Sequence, residues 1–337
     1  MSESKQHLNI KSCLALAHPN IALAKYWGKC NHGHNLPAVP SLSITLAGMH
    51  TRTAVSASEC GADSFILDGE VTVGRPLRRV SQLLDLLWRR AGRTAPRPHL
   101  AVRSENDFPT AAGLASSASA FAALATAGNH ALSCGLSLAA LSCLARQVSA
   151  SAGRSLFGGF VQLRAGQPGD TTLAAEQVAP ADHWNIALVV AVTARGKKEV
   201  GSTEGMIHTA ATSPLYNSWI SAAPGIFARV KQALLARDMV ALGTAVEHSA
   251  LSMHATALAA DPGLLYWNGG SMNVMRAVRG LRRDGVQAYF TIDAGPHVKV
   301  LCAQADATAV AQHLNDVAGV QRTIMARPGA GASVVEA

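Results

Sequence analysis

The sequence predicts an α+β protein built as two lobes with a cleft between them, its sheets mixed or antiparallel and packed by helices. Three observations carry that expectation. The early chain is rich in short strand-like runs separated by Gly, Pro and Asn. Long segments with helical spacing dominate the second half. A strongly apolar run, Asn185 to Thr193, restarts the strand pattern just after a break near Asp182. Strand runs with intervening helices, arranged in two halves, fit the α+β class.

The elements follow in order. Leu14 to Ala17, Ser43 to Leu46, Thr53 to Ser56 and Ser64 to Leu67 read as strands, and Asp68-Gly69 as a hairpin turn. Val80, Leu83, Leu84 and Leu87 repeat at helical spacing within Arg78 to Ala91. Leu100 to Arg103 reads as a strand. Ser137 to Val148 reads as a helix capped by Ser137. Gly158 to Arg164 returns to strand, and Gln167 to Asp170 is a turn. Beyond Asn185 to Thr193, helices are expected over Pro214 to Arg237, Asp238 to Ala259 and Gly269 to Asp284. Strands follow at Val286 to Asp293 and His297 to Cys302, a helix at Asp306 to Val317, and a last strand at Gln321 to Ala326. The expected division is an N-terminal domain over 1–182, a C-terminal domain over 183–327, and a flexible, frayed, Gly-rich tail over 328–337.

Composition narrows the partners. Of 337 residues 49% are hydrophobic but only 5% aromatic, so Ala, Leu and Val must fill the core. The net charge of +8, with 13 His besides, is spread over scattered Arg and Lys with no aromatics between them. That argues against a nucleic-acid groove and for a small, strongly anionic substrate. The six Cys form no CxxC and no zinc spacing. The N-terminus lacks an apolar signal region, so a reducing, cytoplasmic setting is expected.

Pro109 to Ser119 reads Pro-Thr-Ala-Ala-Gly-Leu-Ala-Ser-Ser-Ala-Ser and leads into an Ala-rich helical stretch. Small residues let backbone N–H groups approach an anion, Ser adds hydroxyls, and the helix N-terminus points its positive end there. This is the physics of a phosphate cradle, though not of the common G-x-x-x-x-G-K-[ST] loop. Phe108 to Ala145 carries no formal charge, but its Ser, Thr, Gly, Asn129 and His130 argue against a membrane span. A plain buried helix stays open as an alternative.

Four further stretches carry chemistry. Lys25 and Lys29 would share one face of a helical turn and repel by about a few tenths of a kcal/mol unless an anion bridges them; a solvated face is the other reading. Ser149 to Gly159 delivers Arg154 from a Ser-rich turn, as a carboxylate or phosphate clamp or as partner of a surface acid. Asp293 ends an apolar strand before Gly295-Pro296, placed to orient or deprotonate a hydroxyl, or simply to shape the turn. Lys197 to Met206 supplies cations and hydroxyls from a loop and helix start. His254 reads as a satisfied core histidine.

Taken together, Asn20-Ile-Ala with Lys25-Tyr-Trp-Gly-Lys29, Phe108 to Ser117, Ser151 to Gly159 and Phe290 to Pro296 resemble, in order and spacing, the motifs of the diphosphomevalonate decarboxylase family of the GHMP kinase superfamily. One departure is Val148-Ser149-Ala150-Ser151, where the family usually has Gly-Ser-Gly-Ser. The resemblance implies a GHMP-kinase-like fold, with an ATP-binding N-terminal domain and a substrate-binding C-terminal one. It implies use of ATP and Mg²⁺ to phosphorylate the C3 hydroxyl of mevalonate 5-diphosphate, then loss of phosphate and CO₂. By the same resemblance Asp293, Arg154 and Lys25 are catalytic. Tyr26, Trp27, Gly28, Lys29, Ser149, Ser151, Ser202, Thr203 and Met206 contact the substrate, and Arg78 its diphosphate. Pro109, Ala111, Ala112, Gly113, Leu114, Ala115, Ser116 and Ser117 hold ATP, with Ser117 on Mg²⁺. Relatives are commonly homodimers. The alternatives are an enzyme acting on mevalonate 5-phosphate, one that stops at 3-phosphorylation, and an inactive scaffold; the retained Ser residues and the Lys25, Arg154 and Asp293 trio speak against the last.

Overall fold

The computed structural model describes residues 10–30, 35–108, 116–194, 196 and 199–336. The chain opens with β1 (Cys13–Ala17), β2 (Asn20–Ala24), β3 (Ser41–Ala47), β4 (Thr51–Ala57) and the hairpin of β5 (Ser64–Leu67) and β6 (Glu70–Val71). Then come α1 (Arg75–Arg90), β7 (Leu100–Asn106), α2 (Ser116–Ala131), α3 (Leu138–Val148) and the one-turn α4 (Ala152–Ser155). Strands β8 (Phe160–Leu163), β9 (Glu176–Ala179) and β10 (Ile186–Val192) precede α5 (Ser202–Thr212), α6 (Tyr216–Ala236), α7 (Met239–Leu258) and α8 (Gly269–Arg283). The chain closes with β11 (Tyr289–Ile292), β12 (Val298–Ala303), α9 (Ala307–Asn315), β13 (Arg322–Pro328) and β14 (Ser333–Glu336). The fold is α+β with mixed sheets, as expected.

Local chemistry accounts for the elements. Asp68 and Gly69 both take positive φ, 50° and 84°, the demand of a tight hairpin turn. In α1 the helical-period residues Val80, Leu83, Leu84 and Leu87 are buried. Ser137 caps α3 by accepting from the Ala140 N–H at 3.3 Å. The uncharged stretch after the cradle is a buried helix, α2, which ends at Ala131 where Asn129 Oδ1 accepts from the Leu136 N–H. Among the described residues no helix is long and apolar enough to cross a membrane.

Two sheets organise the molecule. One runs β14-β1-β4-β7-β5-β6, antiparallel except for the β5/β7 pair. The other runs β11-β12-β10-β13-β3-β8-β9, with β2 added on β3. In this second sheet, strands from the end of the chain pair with strands from its beginning: Pro328 lies opposite Leu46 and Arg327 opposite Ala47. Helices α6 and α7 cover one face of it and α8 and α9 the other, burying two separate apolar clusters.

The expected flexible tail is corrected. Residues Ser333–Glu336 form β14, paired antiparallel with β1. The connecting segment is tied down by backbone bonds, Gly329 N–H to Thr45 O at 2.8 Å and Gly159 N–H to Gly329 O at 2.8 Å. A Cβ at Gly331 would sit 2.4 Å from the Leu156 carbonyl oxygen, so only glycine permits that approach. The pairing is made by main chain while all four side chains of β14 are exposed, so no burial pattern announced it.

Candidate active site

Strand β11 delivers Asp293 one residue past its end. The following turn is locked by Gly295 N–H to Asp293 O at 2.7 Å, and by Pro296 O, which accepts from Thr193 Oγ1 at 2.8 Å and Ser271 Oγ at 2.5 Å. Strand β2 delivers Lys25, whose own N–H bonds Ser249 Oγ on α7 at 2.9 Å. Lys25 Nζ meets Asp293 Oδ1 at 2.6 Å and the Ala22 carbonyl at 2.9 Å. From β12, the fully buried Lys299 brings Nζ to 3.3 Å from Asp293 Oδ2.

Burial alone would push the Asp293 carboxyl up. The Lys25 and Lys299 ammonium groups outweigh it and hold Asp293 ionised, well below the usual carboxylate range. For Lys25 burial wins over the pull of Asp293, and its ammonium falls to about 8. Lys299 is lowered by burial too. The acid and both lysines shift down together because one carboxylate serves two desolvated cations. The Asp293 carboxylate is thus held between two buried lysines, one on each oxygen.

Helix α4 carries Arg154, which is 2% exposed. Its Nε donates to Ser43 Oγ at 3.0 Å, Nη1 to Ser41 Oγ at 2.8 Å and Nη2 to Asn20 Oδ1 at 3.3 Å. Asn20 is itself oriented, its Nδ2 donating to Ser151 O and Ser155 Oγ. Burial lowers Arg154 to about 10, still protonated near neutrality. Among the described residues no carboxylate lies within ion-pair distance of it, so the surface-acid reading fails and its charge faces a cavity.

That cavity encloses about 550 Å³ and draws its walls from both halves of the chain. Lys25, Tyr26, Trp27, Lys29, Ser149, Ser151, Arg154, Ser202, Thr203, Met206 and Asp293 line it, with Ser116 and Ser117 at the start of α2. The buried Tyr26 hydroxyl and Trp27 Nε1 have no hydrogen-bond partner among the described residues, which leaves two donors for a bound molecule. Lys29 gathers with Arg75 and Arg79. Burial first, then those two guanidinium groups, lower Lys29 to about 8. Lys29 Nζ donates to Asn35 Oδ1 at 2.6 Å and Thr203 Oγ1 at 3.1 Å. A smaller apolar pocket of about 150 Å³, walled by Phe65, Leu67, Val80, Val102, Phe121 and Leu124, shares Pro76, Arg79, Ser116 and Ser117 with the main cavity.

Several expectations are revised. Arg78 is exposed and outside the cavity, which Arg75 and Arg79, one turn apart on α1, line instead. Gly28 does not line the cavity. With φ 114°, it lets the Tyr216 hydroxyl approach to where a Cβ would be 2.4 Å away. Lys25 and Lys29 converge without a helix: the chain leaves β2 extended and pairs Lys29 with Pro37. Pro109, Ala111, Ala112, Gly113, Leu114 and Ala115 lie outside the described residues, as do Lys197 and Lys198. His254 is a satisfied core histidine, buried with Nε2 at 3.2 Å from Ile292 O. Lys299 was missed, although a lysine inside the apolar strand His297 to Cys302 was itself a signal. Asn20 stood in the quoted motif without a role.

Comparison with known proteins settles the family. A family model described as diphosphomevalonate decarboxylase-like N-terminal domain matches residues 17–174, and one described as mevalonate 5-diphosphate decarboxylase C-terminal domain matches 188–331. Diphosphomevalonate decarboxylase of Aspergillus fumigatus is 38% identical over 319 residues, covering 89% of this chain and 79% of the relative. The chain belongs to the diphosphomevalonate decarboxylase family. The Candida albicans member is 37% identical over 85% of this chain and 83% of its own length. Among solved diphosphomevalonate decarboxylases, that of Staphylococcus aureus superposes with a TM-score of 0.90 at 37% identity, over 97% of this chain and 98% of the other. A structure described as MDDEF in complex with MVAPP, AMPPCP and magnesium superposes with a TM-score of 0.88 at 40% identity, over 97% and 99%.

Proposed function

We propose that the chain catalyses the ATP-dependent decarboxylation of (R)-mevalonate 5-diphosphate to isopentenyl diphosphate, releasing ADP, phosphate and CO₂. The observation that carries this is one cavity holding Asp293 and Lys25 in contact at 2.6 Å, a buried Arg154 with no acidic partner among the described residues, and a separate cation group of Lys29, Arg75 and Arg79. A substrate with a carboxylate near one end and a diphosphate at the other matches that split of charge. Its relatives' names, and the neighbour in complex with MVAPP, AMPPCP and magnesium, support the same reading.

Asp293 accepts a hydrogen bond from the C3 hydroxyl. Held ionised so far below neutral pH, it is a weak base. It serves mainly by orienting the oxygen: as the bond to the γ-phosphorus of ATP forms, the bond from that phosphorus to the β-phosphate oxygen breaks and ADP leaves with the electron pair, while the hydroxyl proton passes by way of the carboxylate to solvent. Lys25 offsets charge beside it. Arg154 holds the carboxylate so that the breaking C–C bond aligns with the C3–O bond. The phosphate leaves with the C–O electron pair, the C–C pair becomes the double bond, and CO₂ departs. Tyr26, Trp27, Lys29, Ser149, Ser151, Ser202, Thr203 and Met206 contact the substrate, and Arg75 and Arg79 meet phosphate groups.

The residues present fit ATP and Mg²⁺. The apolar pocket beside Ser116 and Ser117 suits a purine, and those two hydroxyls stand at a helix N-terminus, where phosphates are favoured. Among the described residues no group of three or more His, Cys, Asp or Glu could hold a metal by itself. That suits an ion carried on phosphate oxygens and water, with Ser117 as the nearby hydroxyl. When bound, Mg²⁺ neutralises phosphate charge. A reducing, cytoplasmic setting and a homodimer belong to the same proposal; six free thiols support the first.

The test is CO₂ and ADP release with mevalonate 5-diphosphate and with 5-phosphate. Equal amounts of both products from the diphosphate support the reading. Accumulation of a 3-phosphorylated compound without CO₂ overturns decarboxylation, preference for the monophosphate overturns the substrate, and no substrate-stimulated ADP marks an inactive scaffold.

A further inference from the structure

Lys299 is the second residue of β12, opposite Thr291 on β11 and Val190 on β10. Asp293 lies two residues past Thr291, hence on the same face of the hairpin, within diagonal reach of Lys299. The neighbouring residues on that face, Tyr289 and Leu301, join the apolar cluster under α6 and α7. A fully buried ammonium in such a place is costly, and hydrophobic replacement of buried ion pairs is often neutral or stabilising. Nor does Asp293 lack a counter-ion without it, because Lys25 already touches Oδ1 at 2.6 Å. Fold stability therefore gives little reason for a lysine here, yet its Nζ reaches Oδ2 at 3.3 Å and His297 O at 3.3 Å.

We propose that Lys299 is a positioning residue of this reaction, holding Oδ2 of Asp293 from within the protein so that the carboxylate meets the substrate hydroxyl in one orientation. This rests on Asp293 being the group that meets that hydroxyl. With Oδ1 tied to Lys25 from the β2 side and Oδ2 to Lys299 from β12, the carboxylate cannot rotate about its Cβ–Cγ bond. Lys299 does not line the cavity, so it acts only through Asp293. The other titratable and charged groups around the carboxylate are Arg154 from α4, His254 from α7, and His297. Burial lowers the two histidines to about 3 and about 4, so both are neutral at working pH. Among the described residues Lys299 is thus the basic group that holds Asp293 without lining the cavity.

The test is Lys299→Met, with Lys299→Gln as the second variant and Asp293→Asn as control, measuring melting temperature, kcat, KM and the pH profile of kcat/KM. Lys299→Met should keep or raise the melting temperature. Its kcat should fall by about tenfold or more, as expected when a catalytic carboxylate loses its support, with both KM values nearly unchanged. Removing a cation makes the carboxyl easier to protonate, so the acid limb should move to higher pH; Lys299→Gln should show the same pattern more weakly. Unchanged kcat and acid limb in Lys299→Met, while Asp293→Asn is inactive, overturn the proposal and leave Asp293 in place. An active Asp293→Asn overturns the underlying reading instead. Loss of fold in both Lys299 variants assigns the residue to the scaffold and overturns the proposal as well.

Discussion

Replacing Asp293 by Asn removes one charge and keeps the shape. The structure places two ammonium groups on that carboxylate, at 2.6 Å and 3.3 Å, so the change reaches both turnover and titration. Loss of a positioned acid–base group costs about 10²–10⁴ in rate. At 1.36 kcal/mol per decade that is roughly 3–5 kcal/mol of transition-state stabilisation. KM should change far less, because Arg154, Lys29 and Arg79 still hold the substrate's charged ends. Titration moves as well. In the unmodified protein burial already lowers Lys25 to about 8, against the raising effect of Asp293. Its charge is therefore present below about pH 8 and lost above it. Without the carboxylate nothing opposes burial, so the alkaline limb of kcat should move to lower pH in Asp293→Asn. Stability carries the matching sign. A lysine whose folded value is depressed binds fewer protons than in the unfolded chain, so its burden is felt below that value and is relieved as pH rises through it. The variant, whose two buried lysines lose their shared carboxylate, should lose about 3–5 kcal/mol at the acid end of the range and recover part of it as pH rises. The assay is substrate-stimulated ADP and CO₂ release from pH 6 to 10 (about the span in which lysines of lowered value titrate), with thermal denaturation over the same range. Turnover near that of the unmodified protein, or an alkaline limb that stays in place, would refute the reasoning.

Other perturbations follow from single contacts. Arg154→Leu should raise KM and lower kcat together, and should cost about 1–3 kcal/mol in stability because Ser41, Ser43 and Asn20 lose their buried donor; normal kinetics would remove the carboxylate clamp. Gly28→Ala should destabilise by about 1–3 kcal/mol, combining a positive-φ penalty with the clash against Tyr216. Adding Tyr216→Phe should recover part of the loss in a melting experiment, and no recovery would mean that backbone strain alone is responsible. The KM for the phosphorylated substrate should rise above about pH 8 as Lys29 deprotonates. Arg79→Gln should move that rise to higher pH by removing a repelling charge, at the expense of a higher KM throughout; an unmoved rise would separate Lys29 from the phosphate end.

Much of the site was legible along the chain because its chemistry comes in short blocks. Arg154 sits in a Ser-rich turn and Asp293 at the end of an apolar strand, runs whose local pattern already suggests a held charge, whereas Lys25 stands out by its spacing from Lys29. Helices α1, α3, α7 and α8 were legible for the same reason: apolar period and capping are local properties. Lys299 was not, because its meaning depends on which strand lies beside β12 and on what stands two residues beyond the facing position. Arg78 rests on the resemblance alone; which face of α1 meets the cavity, the one carrying Arg75 and Arg79, depends on how the helix packs. The four-residue spacing of Lys25 and Lys29 invites a helical turn, whereas β2 runs extended into a bend at Gly28.

From its order of residues alone this protein carried its family motifs, its α+β character, the uncharged helix behind the cradle and the three charged groups of the proposed chemistry. These depend on side-chain type and near-neighbour spacing. The folded chain alone decided that β13 joins β10 to β3, that β14 closes the edge of β1, and that two lysines from distant strands share one carboxylate. Apart from the short-range Lys299 contact, those outcomes join segments far apart in the chain, Lys25 lying 268 positions from Asp293, where main-chain pairing and the cost of buried charge, rather than any local pattern, select the partner.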